Sequence, residues 1–290
     1  MYTPQAATVN RGARSWVVKS LNPLPVIAVR LMRLVASDDV VFRRAAGLIQ
    51  ADPAFTAEVM RLANSPIVGC RENVHGVLHA IAVLGLDRLK GLVMTVALRN
   101  LLASTLHIPA LLRCWRHTVA SALVCEELAG ACWLEKDKLY TAGMMHDLGR
   151  LAILATYPDD YAHLLDQADE APPGEFDLLA GERARFGADH TEVGAWLAEE
   201  WGFPSEYRDI AAHHHDVPPA GARFDVDVAV HLACRIADAL GFQVAGPPAA
   251  AGFAEFQEDF PTCEWERVKP QDELLVEVAG RLNALECSLT

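Results

Sequence analysis

The sequence predicts an all-α protein, with an N-terminal helical bundle followed by a second helical half. Apolar residues recur with helical spacing in one segment after another, and one stripe at i, i+3, i+4 and i+7 is formed by Leu89, Leu92, Val93 and Val96. Proline and glycine turns separate the segments, and no segment shows a convincing strand alternation. The 290 residues are 52% hydrophobic and 22% charged, which is the composition of a globular chain with a substantial core.

Changes in this pattern divide the chain into four parts. Residues 1–17 form a polar, weakly patterned tail, and residues 18–108 hold the helices of the N-terminal bundle. Pro109 marks the joint to the second helical half, residues 109–245, which is expected to contain the pocket. A loop rich in Pro, Gly and Ala and a last amphipathic helix make up residues 246–290. We expect no attached input or output domain.

Several helix boundaries carry recognisable signals. Pro53 suits the first turn of an N-terminal helix. Asp189 followed by Glu192 is a capping pair that predicts a helix beginning at His190. Ser205 is predicted to cap the helix after it.

The charge and cysteine content exclude several classes of protein. A net charge of -13 without a cluster of Lys and Arg disfavours general binding to nucleic acids or anionic membranes. Seven cysteines, an odd number with no CxxC pair, indicate reduced thiols rather than disulfides or a zinc ribbon. The sequence also has no apolar segment typical of a signal peptide or membrane span, so we expect a cytoplasmic protein.

An adjacent histidine and aspartate lie within the most unusual stretch, residues 140–154 (YTAGMMHDLGRLAIL). The surrounding sequence is apolar and long enough for one buried helix, so His146 and Asp147 are expected in the interior. Leaving them unsatisfied there would cost on the order of several kcal/mol. Their partners are a metal ion, a hydrogen-bond network or an opening to water, and the stretch itself does not decide among these.

Other residues of metal-ligand type occupy apolar or helix-end positions of the predicted helices: His117, His190, His214, His215 and Asp238. Together with His146 and Asp147 they have the composition of a site for one or two divalent ions, of which Fe, Mn, Zn and Ni suit such ligands. In an enzyme, His146 and Asp147 would be the catalytic pair, because a bound ion acidifies a water that attacks a phosphate ester.

Each of these residues also has a plainer interpretation. His117 could be a satisfied core histidine, Asp238 a helix-end carboxylate and His190 a solvent-exposed first-turn residue. In the triplet His213 to His215 at least one histidine is expected to be exposed at a helix C-terminus, and His231 is expected in the core or behind the ligands.

The order of these residues resembles a known superfamily. His117, His146-Asp147 and Asp238 resemble the H…HD…D pattern of the metal-dependent HD phosphohydrolases, and His190 with His214-His215 resembles the longer ligand set of the HD-GYP enzymes, which hydrolyse cyclic di-GMP. The resemblance implies that residues 109–245 form an HD-like helical half, and that His213 is the exposed member of the His213 to His215 triplet. The wider match, over residues 18–242, is to the HDOD family, the HD-related output domain of bacterial signalling proteins. Its motifs are LPVIAVRLMRLVAS, IQADPAFTAEVMRLANS, AIAVLGLDRLKGLVM, GMMHDLGRLAIL, HTEVGAWLAEEWGFP and HHHD.

These resemblances imply two functions. The HDOD resemblance implies a signalling module that binds a nucleotide or a partner protein such as a kinase or regulator. The HD resemblance implies, as the alternative, a phosphohydrolase acting on a phosphomonoester or a cyclic dinucleotide. The chain departs from HD-GYP in having Gly149-Arg150 in place of Gly-Lys, Asp216 in place of a glutamate, and no GYP motif. Arg113 stands where three-metal members have a glutamate, so at most two ions are expected.

Overall fold

The structure is a computed structural model that describes residues 24–34, 39–69, 73–219, 222–246 and 252–288. Over these residues it is helical and contains no strand, as predicted. The predicted tail, residues 1–17, lies outside the described residues. The α-helices are α1 (Val26–Met32), α2 (Asp39–Gln50), α3 (Pro53–Ala63), α4 (Val77–Leu84), α5 (Leu86–Leu101), α6 (Pro109–Ala131), α7 (Lys136–Met145), α8 (Leu148–Thr156), α9 (Pro158–Glu170), α10 (Leu178–Phe186), α11 (His190–Glu200), α12 (Ser205–His213), α13 (Val226–Ala237), α14 (Phe253–Asp259) and α15 (Gln271–Ser288).

Local signals explain where several of these helices begin. Pro53 is the first residue of α3, and the Asp52 side chain accepts a hydrogen bond from the Phe55 amide at 3.1 Å. The predicted capping pair is present at α11, where Asp189 and Glu192 each accept a hydrogen bond from the other's backbone amide. The cap predicted at Ser205 is wrong by one position: Ser205 is the first residue of α12, and Pro204 precedes it without a side-chain cap.

The central helix α6 organises the packing of the second half. It is buried over most of its length and packs against α7 and α13. Helix α5, from the N-terminal half, packs against α7. One continuous set of buried apolar residues therefore extends from Leu24 to Leu285.

The stretch that holds His146 and Asp147 is two helices rather than the one buried helix predicted from the sequence. Helix α7 ends at Met145 and α8 begins at Leu148, with Asp147 at φ −95° and ψ 17° between them. The break turns both side chains into the space enclosed by α6, α11 and the end of α12.

A close approach of two helices sets the geometry beside this break. A Cβ atom added to Gly149 of α8 would overlap with the His190 carbonyl oxygen and the Gly194 amide of α11. Only glycine allows the two backbones to come this close, and the contact carries His190 toward Asp147.

The chain after α13 is more structured than the predicted loop and single helix. A turn of π-helix, Asp238–Phe242, follows α13 and contains Gly241 at φ 89°. We call it the 238–242 turn. Helix α14 was not predicted. Helix α15 is tied to α6 by ion pairs from Arg116 to Glu286 at 2.9 Å and from Arg281 to Glu126 at 2.6 Å.

The described part of the chain contains no helix long and apolar enough to cross a membrane. None of the six cysteines in it is joined in a disulfide.

We predict that Gly149→Ala strongly destabilises the protein. The added methyl group meets backbone atoms of α11, which cannot rotate away, and overpacking of this kind costs about 1–3 kcal/mol or more. Gly47→Ala in α2 is the matched control, because its Cβ would meet nothing within 4 Å and alanine favours a helix. Urea denaturation measures both. Equal stability of the two variants would show that α8 and α11 do not meet at Gly149.

A second prediction concerns Glu126, a buried carboxylate that contacts Arg88, Lys136 and Arg281. Burial raises the pKa of this carboxyl, but the three cations outweigh burial and hold it below its ordinary 4.5. Its stabilising effect is therefore complete above pH 4.5 and is lost as the pH falls below that value. We expect Glu126→Gln to cost about 3–5 kcal/mol at pH 7, because Arg88, which is buried, and Arg281, which is largely buried, lose this partner.

Urea denaturation at pH 7 and at progressively lower pH tests this second prediction. The difference between the wild type and Glu126→Gln should shrink in acid. Glu135→Gln is the control, since the Glu135 side chain is 70% exposed and pairs only at the surface. It should change stability by less than about 1 kcal/mol at either pH. A pH-independent difference for Glu126→Gln would contradict the assignment.

Candidate metal centre

Five of the seven residues predicted as metal ligands are brought together at the break between α7 and α8. His146 and Asp147 form the break, and His117 reaches it from α6. His190 is the first residue of α11, and His214 directly follows α12. All five side chains are buried.

The ring nitrogen Nδ1 of each histidine in this group is fixed by an acceptor. His146 Nδ1 lies 2.6 Å from the Gly143 carbonyl oxygen, and His214 Nδ1 lies 3.1 Å from that of Ala211. His190 Nδ1 lies 2.6 Å from Glu182 Oε2. An acceptor at Nδ1 requires that this nitrogen carry the hydrogen, which leaves Nε2 with its lone pair.

His117 follows the same rule. Its Nδ1 lies 3.0 Å from the Phe242 carbonyl oxygen and 3.2 Å from Asp238 Oδ1. Four imidazoles are therefore held in the tautomer that binds metals through Nε2, each with its second nitrogen anchored as in metalloproteins.

The free atoms of the group converge. His190 Nε2 lies 3.3 Å from His214 Nε2 and 3.0 Å from His215 Nε2. Asp147 Oδ1 lies 3.5 Å from His190 Nε2 and 3.6 Å from His214 Nε2. Because lone pairs at such distances repel, the arrangement needs a cation or shared protons among them.

Two atoms of the adjacent residues His146 and Asp147 have no hydrogen-bond partner. They are His146 Nε2 and Asp147 Oδ1, and both are buried. An unsatisfied buried acceptor is costly, and a metal ion is the group that accepts both lone pairs at once. The donors that are present thus fit a divalent ion.

Three overlapping groups of side chains in the described residues have ligand atoms within 4.8 Å of one another. Every group contains at least one histidine, and its other members are histidine, cysteine or aspartate. They are His117, His146 and Cys234; His146, Asp147 and His214; and His190, His214 and His215. His146 links the first group to the second, and His214 links the second to the third.

An arginine also lies inside the centre. Arg150 donates from Nε to Asp147 Oδ2 at 2.9 Å and from Nη2 to His190 Nε2 at 3.0 Å. Its Nη1 donates to the Tyr161 hydroxyl at 2.9 Å, and that hydroxyl donates to Glu182 Oε1 at 2.5 Å. The Arg150 guanidinium thus provides a fixed positive charge between Asp147 and His190.

The charge states of Asp147, His146 and His214 suit metal binding at neutral pH. Burial raises the pKa of the Asp147 carboxyl, but Arg150 and the neighbouring histidines outweigh burial and hold it well below its usual range. Burial lowers the pKa of His146 to about 3 and also lowers that of His214. Burial lowers the pKa of His117 too, but Asp238 outweighs it, and the net pKa is raised.

Asp238 and His215 lie at the edge of the centre. The Asp238 side chain is 40% exposed and faces His117 Nδ1, and it belongs to none of the three ligand groups. His215 is exposed and reaches His190 from outside. His213 is exposed, as predicted. His231 donates from Nδ1 to the His214 carbonyl oxygen at 3.0 Å and so lies behind the ligands.

A cavity of about 370 Å³ opens beside the centre. Its polar wall is formed by His117, Arg150, His215 and Asp238. The opposite wall is largely apolar and comes from the connection before α10 and from the chain after the 238–242 turn, with Pro172, Pro173, Phe176, Leu178, Val244 and Ala245. The cavity thereby reaches His117 and Arg150 of the centre.

The sequence did not identify four residues of the centre: Arg150, Tyr161, Glu182 and Cys234. The spacing of Arg150, three residues after Asp147, is a helical signal that could have placed it beside the carboxylate. Tyr161 lies in α9 and Glu182 in α10, and no local signal in the sequence marks either residue as part of the centre. Cys234 was counted among the buried thiols.

Comparison with known proteins identifies the family. The sequence profile of the HDOD domain matches residues 21–217. The chain belongs to the HDOD family. A protein of Treponema pallidum (strain Nichols) with no described function is 26% identical over 208 residues, which are 70% of this chain but 39% of that protein. The chain therefore matches well under half the length of that relative.

Solved structures show the same fold. An HDOD domain protein of unknown function from Geobacter sulfurreducens is 22% identical with a TM-score of 0.71, over 96% of this chain and 95% of the other. A candidate phosphohydrolase from Shewanella amazonensis SB2B is 23% identical with a TM-score of 0.67, over 96% and 98%. A candidate metal-dependent phosphohydrolase from the same organism is 21% identical with a TM-score of 0.62, over 97% of each chain.

We predict that Arg150→Met destabilises the protein in a way that divalent ions reverse. Removal of the guanidinium leaves the Asp147 charge buried without its partner, at a cost of about 3–5 kcal/mol. An ion bound to Asp147 restores the lost positive charge. Thermal unfolding with EDTA and with added Zn²⁺ or Mn²⁺ measures the effect.

Arg113→Met is the control for this experiment. Arg113 pairs with Asp169 at 2.6 Å, with side chains that are 40% and 32% exposed. Its loss should cost less than about 1 kcal/mol, equally with and without metal. If metal stabilised both variants alike, Arg150 would have no special relation to the ion.

Proposed function

We propose that this HDOD protein is a signalling module that binds one divalent metal ion at His146 and Asp147. In this proposal the ion, Arg150 and the adjacent cavity bind a phosphorylated small ligand such as a nucleotide, and the liganded state is passed to a partner protein such as a kinase or regulator. The observation that carries the proposal is the set of four buried histidines whose Nδ1 atoms are all anchored, around a carboxylate held ionised by a buried arginine.

The unsatisfied atoms support metal binding. His146 Nε2 and Asp147 Oδ1 are acceptors without a donor, and His146 belongs to two of the three candidate ligand groups. When bound, such an ion supplies positive charge that polarises a phosphate oxygen. His117, His146 and Asp147 are buried, and they would exclude water from one side of the ion.

The position of Arg150 supports one ion rather than two. An ion that bridged Asp147 and His190 would lie beside the guanidinium, which already donates to both residues. Like charges at this distance repel, so the arginine substitutes for a second ion.

The cavity supports a phosphorylated ligand. Its volume, about 370 Å³, is within the usual range for small-molecule sites. Arg150 and His215 can contact anionic oxygens on the polar wall, while Phe176 and the two prolines offer an apolar surface to the rest of the ligand.

Hydrolysis of a phosphomonoester or cyclic dinucleotide is the second candidate function. It is favoured by Asp147 Oδ1, an ionised and unpartnered oxygen of the kind that orients water at a metal. It is disfavoured by Arg150, because the two-ion mechanism needs a second ion where the guanidinium lies. In this alternative, His146 and Asp147 are the catalytic pair, and His190, His214 and His215 contact the phosphate.

We predict that protein purified without a nickel column contains Fe, Mn or Zn near one ion per chain by elemental analysis. His146→Ala should lose the ion. His213→Ala is the matched control, since this histidine is exposed and pairs with Asp216 away from the centre, so its ion content should equal that of the wild type. Failure of the wild type to hold or take up any divalent ion would overturn the proposal.

The same protein separates binding from turnover. We expect a radiolabelled nucleotide to bind the metal-loaded wild type by equilibrium dialysis, more weakly after Arg150→Met, and to be recovered intact. Release of inorganic phosphate or of a linear dinucleotide, lost on Asp147→Ala, would establish the hydrolase instead.

A further inference from the structure

Cys234 lies in one of the three ligand groups, although no motif of the sequence includes it. Its sulfur and the ligand atoms of His117 and His146 are all within 4.8 Å of one another, and all three residues are buried. The His146 nitrogen that remains free, Nε2, is buried without a hydrogen-bond partner. The Cys234 thiol of α13, the His117 ring of α6 and the His146 ring at the end of α7 thus surround one point.

Asp238 is engaged elsewhere. It lies four residues after Cys234, where α13 passes into the 238–242 turn, and its Oδ1 is 3.2 Å from His117 Nδ1. That nitrogen also faces the Phe242 carbonyl oxygen at 3.0 Å. A carboxylate on the Nδ1 of a metal-binding histidine fixes the ring for coordination through Nε2.

We infer that Cys234, rather than Asp238, is the residue through which α13 coordinates the ion, with His117 and His146, and that Asp238 positions His117. The inference rests on the proposed metal binding and goes further by naming the ligands and the class of ion. Residues four apart share one helix face, so the helix can present either side chain, and the sulfur is the one placed in the ligand group.

The thiolate determines the preferred metal. Two imidazoles and one thiolate are a nitrogen and sulfur set that suits Zn²⁺ or Co²⁺, whereas Mn²⁺ and Mg²⁺ prefer oxygen ligands. On binding, the Cys234 thiol gives up its proton to solvent and the sulfur forms the bond to the ion, so binding releases a proton. Three protein ligands leave one position for Asp147 or for the phosphorylated ligand.

Cobalt substitution of the full chain tests this inference. Co²⁺ bound by a thiolate shows a sulfur-to-metal charge-transfer band in the near ultraviolet, and Co²⁺ bound by nitrogen and oxygen alone does not. We expect the band in the wild type, at one ion per chain, and its loss in Cys234→Ser. Competition with a chelator should also show that Cys234→Ser weakens Zn²⁺ binding more than Mn²⁺ binding.

Two variants serve as references. Asp238→Asn should keep the band while weakening Zn²⁺ binding by about 10–100-fold, the usual effect of removing a residue that orients a ligand. Cys125→Ser should keep both the band and the affinity, because Cys125 is a buried cysteine of α6 that belongs to none of the ligand groups. Absence of the band in the metal-loaded wild type overturns the cysteine ligand even where a variant does not fold.

The outcomes separate the inference from the proposed function. Stoichiometric Co²⁺ binding without a charge-transfer band, abolished by Asp238→Asn, overturns the cysteine ligand and leaves metal binding standing. A band that persists in Cys234→Ser also overturns it. Absence of any metal binding in the wild type overturns both. A band lost only in Cys234→Ser, with zinc preferred over manganese, supports the inference.

Discussion

The buried ion pair between Asp147 and Arg150 is the interaction on which the candidate centre depends. Around it lie two carboxylates whose pKa values are lowered, Asp147 and Glu182, and one guanidinium. With the nearby His146 and His214 neutral, the interior keeps about one uncompensated negative charge. Such a charge is costly to bury. One divalent cation changes the sum to about +1 and a second to about +3, so a second ion would only add to an excess of buried positive charge. Charge and geometry thus both favour one ion.

The fold positions these charges through backbone contacts rather than through loops. Gly149 lets α8 touch α11, and this contact carries His190 to within 3.5 Å of Asp147. Glu182 then receives both the backbone amide and the Nδ1 hydrogen of His190, at 2.8 and 2.6 Å. Because each member is held by secondary structure, the centre is rigid before any ion arrives, which is the condition for selective binding.

How much the sequence predicted follows from what local signals can encode. Helical spacing and the Asp189 cap gave the all-α fold and the start of α11, because both are properties of short segments. The break at His146-Asp147 was missed, since apolar composition does not reveal where a helix stops. Glu182 could not be linked to Arg150 from a distance of 32 residues, because that pairing exists only once α8 and α10 have packed. Cys234 and Asp238 are four residues apart and so share one face of α13. Which of the two side chains faces the centre depends on how α13 is rotated, and the sequence spacing does not determine that rotation.

A continuous set of contacts links the candidate metal centre to the cavity, and the proposed signal would follow it. His117 is anchored by Asp238 and by the Phe242 carbonyl, both in the 238–242 turn, and the residues after that turn line the cavity. At the far end of this segment the Gly246 amide donates to Asp169 at 2.7 Å, and Asp169 also binds Arg113 of α6. In the proposed function, a ligand that moved this segment would act on His117 from one side and on α6 from the other. Since α6 packs against α7, α13 and α15, the proposed signal would pass from α6 to these three helices.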